Sequence, residues 1–89
     1  MSRDTFYFTP EQETTVEEVV LLPGINYEIA WGEDHACGLF LQIFDPDEPD
    51  EVLLDLDTMF TGLTLQKLAD LIETLGQGHV SRMLRKNAP

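Results

Sequence analysis

The sequence predicts an α+β fold: a small antiparallel sheet of three to five strands arranged as a meander, with one main C-terminal helix packed on one face and a short terminal helix after it. Three observations carry this. Residues 26–57 contain three strand-like runs separated by short connections, a spacing that suits hairpins rather than crossovers. After Gly62 the apolar period changes from two to that of a helix. With only 89 residues there is room for one core and one domain, 1–89, and 43% hydrophobic residues are enough to fold it.

In chain order, Thr5–Phe8 (TFYF) is aromatic and β-prone and ends at Thr9-Pro10. Residues 16–22 fit either period. The β-branched content and the Pro23-Gly24 stop favour a strand across Val16–Leu22. Asn26–Trp31 alternates, with Tyr27, Ile29 and Trp31 on one side. Leu39–Phe44 (LFLQIF) is almost continuously apolar, the pattern of a strand covered on both faces. Glu51–Asp57 alternates again, placing Val52, Leu54 and Leu56 inward and Leu53, Asp55 and Asp57 outward. Thr64 is then a good N-cap, and Leu65, Leu68, Ala69, Leu71, Ile72 and Leu75 form the apolar stripe. Gly76 is the stop, and Val80, Met83 and Leu84 share one face of a last helix over Val80–Lys86.

The charge is unusual. The formal net charge is −12, and fifteen of the seventeen Asp and Glu fall between Arg3 and Lys67, an interval without any lysine or arginine. The remaining basic residues lie near the C-terminus. In DPDEPDEVLLDLD, Asp45 to Asp57, seven of thirteen residues are acidic. Such a chain repels nucleic acid and anionic membrane surfaces and attracts cations or a basic protein. No run approaches membrane-spanning length, and the N-terminal MSRDTFYFTPEQETT has no apolar stretch resembling a secretory leader. The single Cys37 cannot form an internal disulfide, so a reducing cytoplasm is the expected setting.

Two stretches invite site chemistry. WGEDHACG, Trp31 to Gly38, gathers Glu33, Asp34, His35 and Cys37. His35 and Cys37 have metal-ligating types, and Asp34 could orient His35 as a base; two soft ligands in one loop do not complete a zinc site. Cys37 sits beside Glu33 and Asp34, which oppose formation of a thiolate. A hairpin loop is the plainer expectation. The acidic DPDEPDE resembles an oxygen-rich calcium loop but fails the EF-hand template, with Asp50 where glycine and Leu56 where a bidentate Glu are needed. No phosphate-binding loop, dinucleotide fingerprint, nucleophile elbow or paired-cysteine motif is present. The expectation is therefore a protein without catalysis or a cofactor.

The acids themselves are the better clue. Carboxylates at i and i+2 on a strand lie about 6.7 Å apart on one side, a spacing comparable with neighbouring phosphates. Asp55 and Asp57 have that relation. The expected partner-binding set is Glu33, Asp34, Asp45, Asp47, Glu48, Asp50, Glu51, Asp55 and Asp57, with Trp31 as an apolar rim. In size and charge the chain is similar to the small acidic inhibitors carried by phages and mobile elements, including anti-CRISPR and antirestriction nucleic-acid mimics. That likeness implies a basic nucleic-acid-binding enzyme or complex as partner. Two alternatives accompany it: a homodimeric or antitoxin-like interaction module whose acids only solvate the surface, and a small metal-binding protein using the 33–37 loop.

Overall fold

The computed structural model describes residues 2–87. Six strands and three helices follow in the order β1 (Ser2–Phe8), β2 (Thr14–Val16), β3 (Val19–Leu21), β4 (Tyr27–Asp34), β5 (Gly38–Asp45), β6 (Glu48–Asp57), α1 (Thr58–Thr61), α2 (Leu65–Thr74) and α3 (Gly78–Lys86). β4, β5 and β6 form the expected meander. β1 adds antiparallel to β4, giving a four-stranded sheet of order β1-β4-β5-β6, with β2 and β3 as a separate hairpin. The α+β class is as the sequence predicts.

Register decides which face each side chain takes. Phe6, Ile29, Ile43 and Leu54 lie in one row across the four strands, and Trp31, Leu41 and Leu56 in the next on the same face. Ile29, Leu41 and Ile43 are fully buried there, in one cluster with Leu68, Leu71, Ile72 and Leu75 of the α2 region. The small hairpin adds Val16 and Leu21 to the same cluster. Fully burying a side chain of this size contributes about 1.5–3 kcal/mol, so this one layer accounts for most of the driving force.

The stripe on α2 lies where the helical period puts it, with Lys67, Asp70, Glu73 and Thr74 exposed. Thr64 caps its start by accepting from Lys67 N–H at 3.1 Å. Its end is a Schellman turn: Gln77 N–H bonds Ile72 C=O and Gly76 N–H bonds Glu73 C=O, each at 3.0 Å. α3 then folds back against α2. Val80 and Leu84 pack on the core, while Met83 is 53% exposed and is not part of that packing. The third contact is Ser81, fully buried, whose hydroxyl donates to Ala69 C=O at 2.8 Å. Small residues at Ala69 and Ser81 let the two helices approach.

Four expectations need correction. Residues 16–22 are not one strand: Glu17 and Glu18 form a two-residue turn between β2 and β3, with Glu17 at φ 57°. Such turns want positive φ, and Lys67 holds Glu17 by an ion pair of 2.8 Å. Second, LFLQIF is covered on one face only; Phe40, Gln42 and Phe44 belong to the side away from α2 and are half-buried among their sheet neighbours. Third, Val52 is exposed and Leu53 packs on the core, the reverse of simple alternation. The cause is a register shift between Ile43 and Phe44, which pairs Ile43 with Leu54 but Phe44 with Val52, so that Leu53 is the extra residue of a bulge. Fourth, the unforeseen α1 follows β6 directly. Asp57 accepts from Phe60 N–H at 2.6 Å and Thr61 N–H at 3.3 Å to start it, and Gly62 at φ 72° ends it.

α1 is docked through Thr58. Its hydroxyl accepts from Leu39 N–H at 3.0 Å and donates to Leu63 C=O at 2.9 Å. Gly38, at φ 80°, sits against it: a Cβ there would come within 2.8 Å of the Thr58 Cβ. Gly38→Ala should therefore lower stability by about 1–3 kcal/mol, measured as a shift in the urea midpoint with unchanged slope. A loss of a few tenths would contradict the close packing of α1 on the β4–β5 turn.

Candidate functional site

The face of the sheet turned away from α2 is open. Its rows run Tyr7, Glu28, Phe44, Val52; then Thr5, Ala30, Gln42, Asp55; then Arg3, Gly32, Phe40, Asp57. Tyr7, Thr5, Val52 and Asp55 are exposed. Tyr7 donates its hydroxyl to Glu28 Oε1 at 3.1 Å, which raises the Tyr7 pKa above its ordinary value. Gly32 supplies no side chain between Arg3 and Phe40, and α1 stands at the end of the row. The result is a shallow hollow of about 350 Å³ lined by Arg3, Asp34, Cys37, Phe40, Gln42, Asp55, Asp57 and Phe60. Phe60 is 81% exposed at its side, and Met59 beside it is 66% exposed.

Carboxylates against aromatic faces attract guanidinium and ammonium groups, by ion pairing and by the ring quadrupole together. The acids of the hollow also have local duties. Asp57 caps α1. Asp34 Oδ1 accepts from Ala36 N–H at 2.7 Å, tightening the β4–β5 turn, and Asp55 Oδ1 accepts from Gln42 Nε2 at 3.4 Å. Each carboxylate keeps a second oxygen for other contacts.

A second acidic group occupies the far end of the same hairpin. β5 and β6 turn at Pro46-Asp47, with Asp45 paired to Glu48 and Asp45 Oδ1 accepting from Asp47 N–H at 2.9 Å. Asp followed by Pro is the favoured opening of a type I turn. A further register shift leaves Pro49, Asp50 and Glu51 opposite no residue of β5. Asp45, Asp47, Glu48, Asp50 and Glu51 thus sit on the free edge strand or its turn. A hydrogen bond to Glu51 first, then the charges of Glu51, partial burial, and the charges of Asp45 and Asp47 push the Glu48 carboxyl above the usual range.

All seven acids of Asp45–Asp57 therefore line one hairpin, at its tip or beside the hollow. The structure does not bring the whole expected set to one face. Glu33 and Trp31 alternate with Asp34 and lie on the helix side of β4, Glu33 exposed at the strand's end and Trp31 half-buried against the core. Phe60 and Met59 were missed by sequence reasoning, although Asp57 followed by Gly62 frames the one-turn helix that presents them. Three acids elsewhere form ion pairs: Asp70 with Arg85, Glu73 with Arg85 at 3.9 Å, and Glu17 with Lys67.

The 33–37 loop is a tight turn of His35, Ala36 and Cys37 between paired Asp34 and Gly38. Among the described residues no three His, Cys, Asp or Glu side chains come together as a metal site. Partial burial, then Asp34, Asp57 and Asp55, raise the Cys37 thiol above its ordinary value. That environment disfavours the thiolate needed by a nucleophile or a metal ligand.

No family model matches the chain, and neither do the curated proteins or the solved structures. The fold and the surface chemistry are what define it: a small α+β protein with an acidic hairpin edge and an apolar-acidic hollow. Among the described residues no helix is long and apolar enough to cross a membrane.

Two outcomes follow from these environments. Alkylation of Cys37 in the folded protein should reach its half-maximal rate at a higher pH than in the urea-unfolded chain, and Asp55→Asn should move it down. A folded-state thiol titrating at or below the unfolded one would contradict the arrangement. For Glu48, the folded state holds the proton more tightly than the unfolded chain. Its contribution to stability is complete below the ordinary glutamate pKa and is lost as pH rises through the raised folded value. Chemical denaturation should accordingly show greater stability just above the ordinary glutamate pKa than at neutral pH, and Glu51→Gln should shrink the difference.

Proposed function

We propose that this protein is a non-enzymatic inhibitor of a nucleic-acid-binding system, using the carboxylates of the β5–β6 hairpin in the manner of a DNA or RNA mimic, as anti-CRISPR and antirestriction proteins do. The single observation behind this reading is the hairpin itself. Asp45, Asp47, Glu48, Asp50, Glu51, Asp55 and Asp57 all lie on it, and between Asp45 and Asp57 the chain has no lysine or arginine. The Glu48 carboxyl is raised first by its hydrogen bond to Glu51 and then by the charges of Glu51, Asp45 and Asp47, charges that a cationic partner would offset.

A basic groove built for phosphates offers the complementary charge. Long-range attraction would steer the encounter, and the exposed Phe60 and Met59 would give the contact an apolar anchor that slows release. The hollow beside Phe60 suits an arginine or lysine side chain of the partner. Polar contacts of this kind need no chemistry from the inhibitor, in keeping with a hollow that is shallow and a cysteine held as the thiol.

The test uses immobilised full chain to capture proteins from host lysate at low salt, followed by elution with duplex DNA, with RNA, and with rising salt. Nucleic-acid-binding proteins should be retained, released by competing nucleic acid, and lost steeply as ionic strength rises. The Asp47→Lys, Asp50→Lys double variant, folded by circular dichroism, should retain at least about tenfold less. Retention indifferent to salt and to both charge reversals would overturn the reading.

A further inference from the structure

The two edges of the sheet are built differently. β6 is closed to further pairing by two register shifts, by Pro49 and by a row of like charges. β1 has none of these protections. All seven of its residues keep unbroken register with β4, and it contains no proline and one charge of each sign, Arg3 and Asp4. Its backbone is left with a free row of donors and acceptors, the usual template for adding a strand.

The side chains of β1 are complementary to themselves. Antiparallel pairing keeps directly opposite residues on one face. A two-fold axis centred on Thr5 places Arg3 across from the partner's Tyr7, and Asp4 across from the partner's Phe6. On the open face, Arg3 makes no ion pair among the described residues despite the excess of carboxylates, whereas Tyr7 and Glu28 form a hydrogen-bonded acceptor pair at the other end of the same strand. The axis brings each Arg3 to the other copy's pair.

The helix side gives the same answer. There a hollow of about 330 Å³ opens beside β1, bordered by Phe6, Trp31, Val80 and the exposed Met83. The register that serves Arg3 also sets the partner's Phe6 next to Asp4, at the mouth of this hollow. One register thus brings an ionic contact on one face and sets an aromatic ring at the rim of the hollow on the other.

We propose that the protein forms a symmetric dimer by antiparallel pairing of β1 with the β1 of a second copy, centred on Thr5. The sheet becomes eight-stranded, in the order β6-β5-β4-β1-β1-β4-β5-β6. This arrangement holds the two acidic hairpins at opposite ends, as far apart as the sheet allows, so their mutual repulsion opposes it least.

The test is direct because Thr5 meets its own symmetry mate, with Cβ atoms about 4.5–5.5 Å apart. In a Cys37→Ser background, Thr5→Cys should oxidise to a disulfide-linked dimer on a non-reducing gel, while Ser2→Cys in that background should stay monomeric. Sedimentation equilibrium of the unmodified chain should give a dimer. Arg3→Glu should raise the dissociation constant about tenfold, and adding Glu28→Arg should restore most of the loss, with circular dichroism confirming that each variant folds. A monomeric mass at every concentration, or Ser2→Cys linking as well as Thr5→Cys, would overturn the proposal.

Discussion

The packing of one apolar sheet face against α2 is the contact on which this molecule depends. Ile29, Leu41 and Ile43 come from the two central strands, and Leu68, Ile72 and Leu75 from the helix and its cap; all are excluded from water. With so short a chain there is no second layer to share the work. The helix must therefore lie on the face that the alternation of β4 selects, and the opposite face has to remain open. That division leaves Phe40, Phe44, Asp55 and Asp57 on the side away from α2.

The negative charge imposes the second constraint. Elements next to the core are tied by a few opposite pairs: Lys67 reaches Glu17 on the small hairpin, and Arg85 reaches Asp70 and Glu73 on α2. Exposed pairs of this kind are worth little individually. Their placement still means that the cations in ion pairs, Lys67 and Arg85, neutralise the helix layer and the small hairpin, and that only Arg3, across the hollow, stands near the acids of β6. The sheet edge carries its acids uncompensated. Several of those acids are also structural, since Asp57 starts α1 and Asp34 and Asp45 each tighten a turn, so their positions serve folding as well as surface charge.

Much of the architecture was legible in the sequence because it follows from period and punctuation. The alternation of Tyr27 and Ile29, the stripe from Leu65 to Leu75, the Thr64 cap and the Gly76 stop are local signals, and the structure follows each of them. The departures are places where local rules compete with tertiary ones. Val52 and Leu53 exchange sides because of a bulge that no alternation pattern announces. LFLQIF looks like a doubly covered strand, but Phe40 and Phe44 are half-buried only by the side chains of β4 and β6 beside them instead of lying beneath a helix. Ser81 replaces the Met83 contact because two close helices need a small residue, which a list of apolar positions overlooks. For the surface, Asp55 and Asp57 could be placed on one side from spacing alone. The expected set joins Asp34 to them as well; separating it from Glu33 and Trp31, and bringing Phe60 alongside, required the strand register and the unforeseen turn of α1.

Pro49 and the irregular pairing of β6 have a consequence for solubility. A sheet with two receptive margins can recruit neighbours on both sides and grow without limit, which is how fibrils propagate. Here one margin is sealed by missing amide hydrogen, by displaced backbone and by charge. Lateral growth is confined to a single side, so any assembly through the sheet terminates after the first addition.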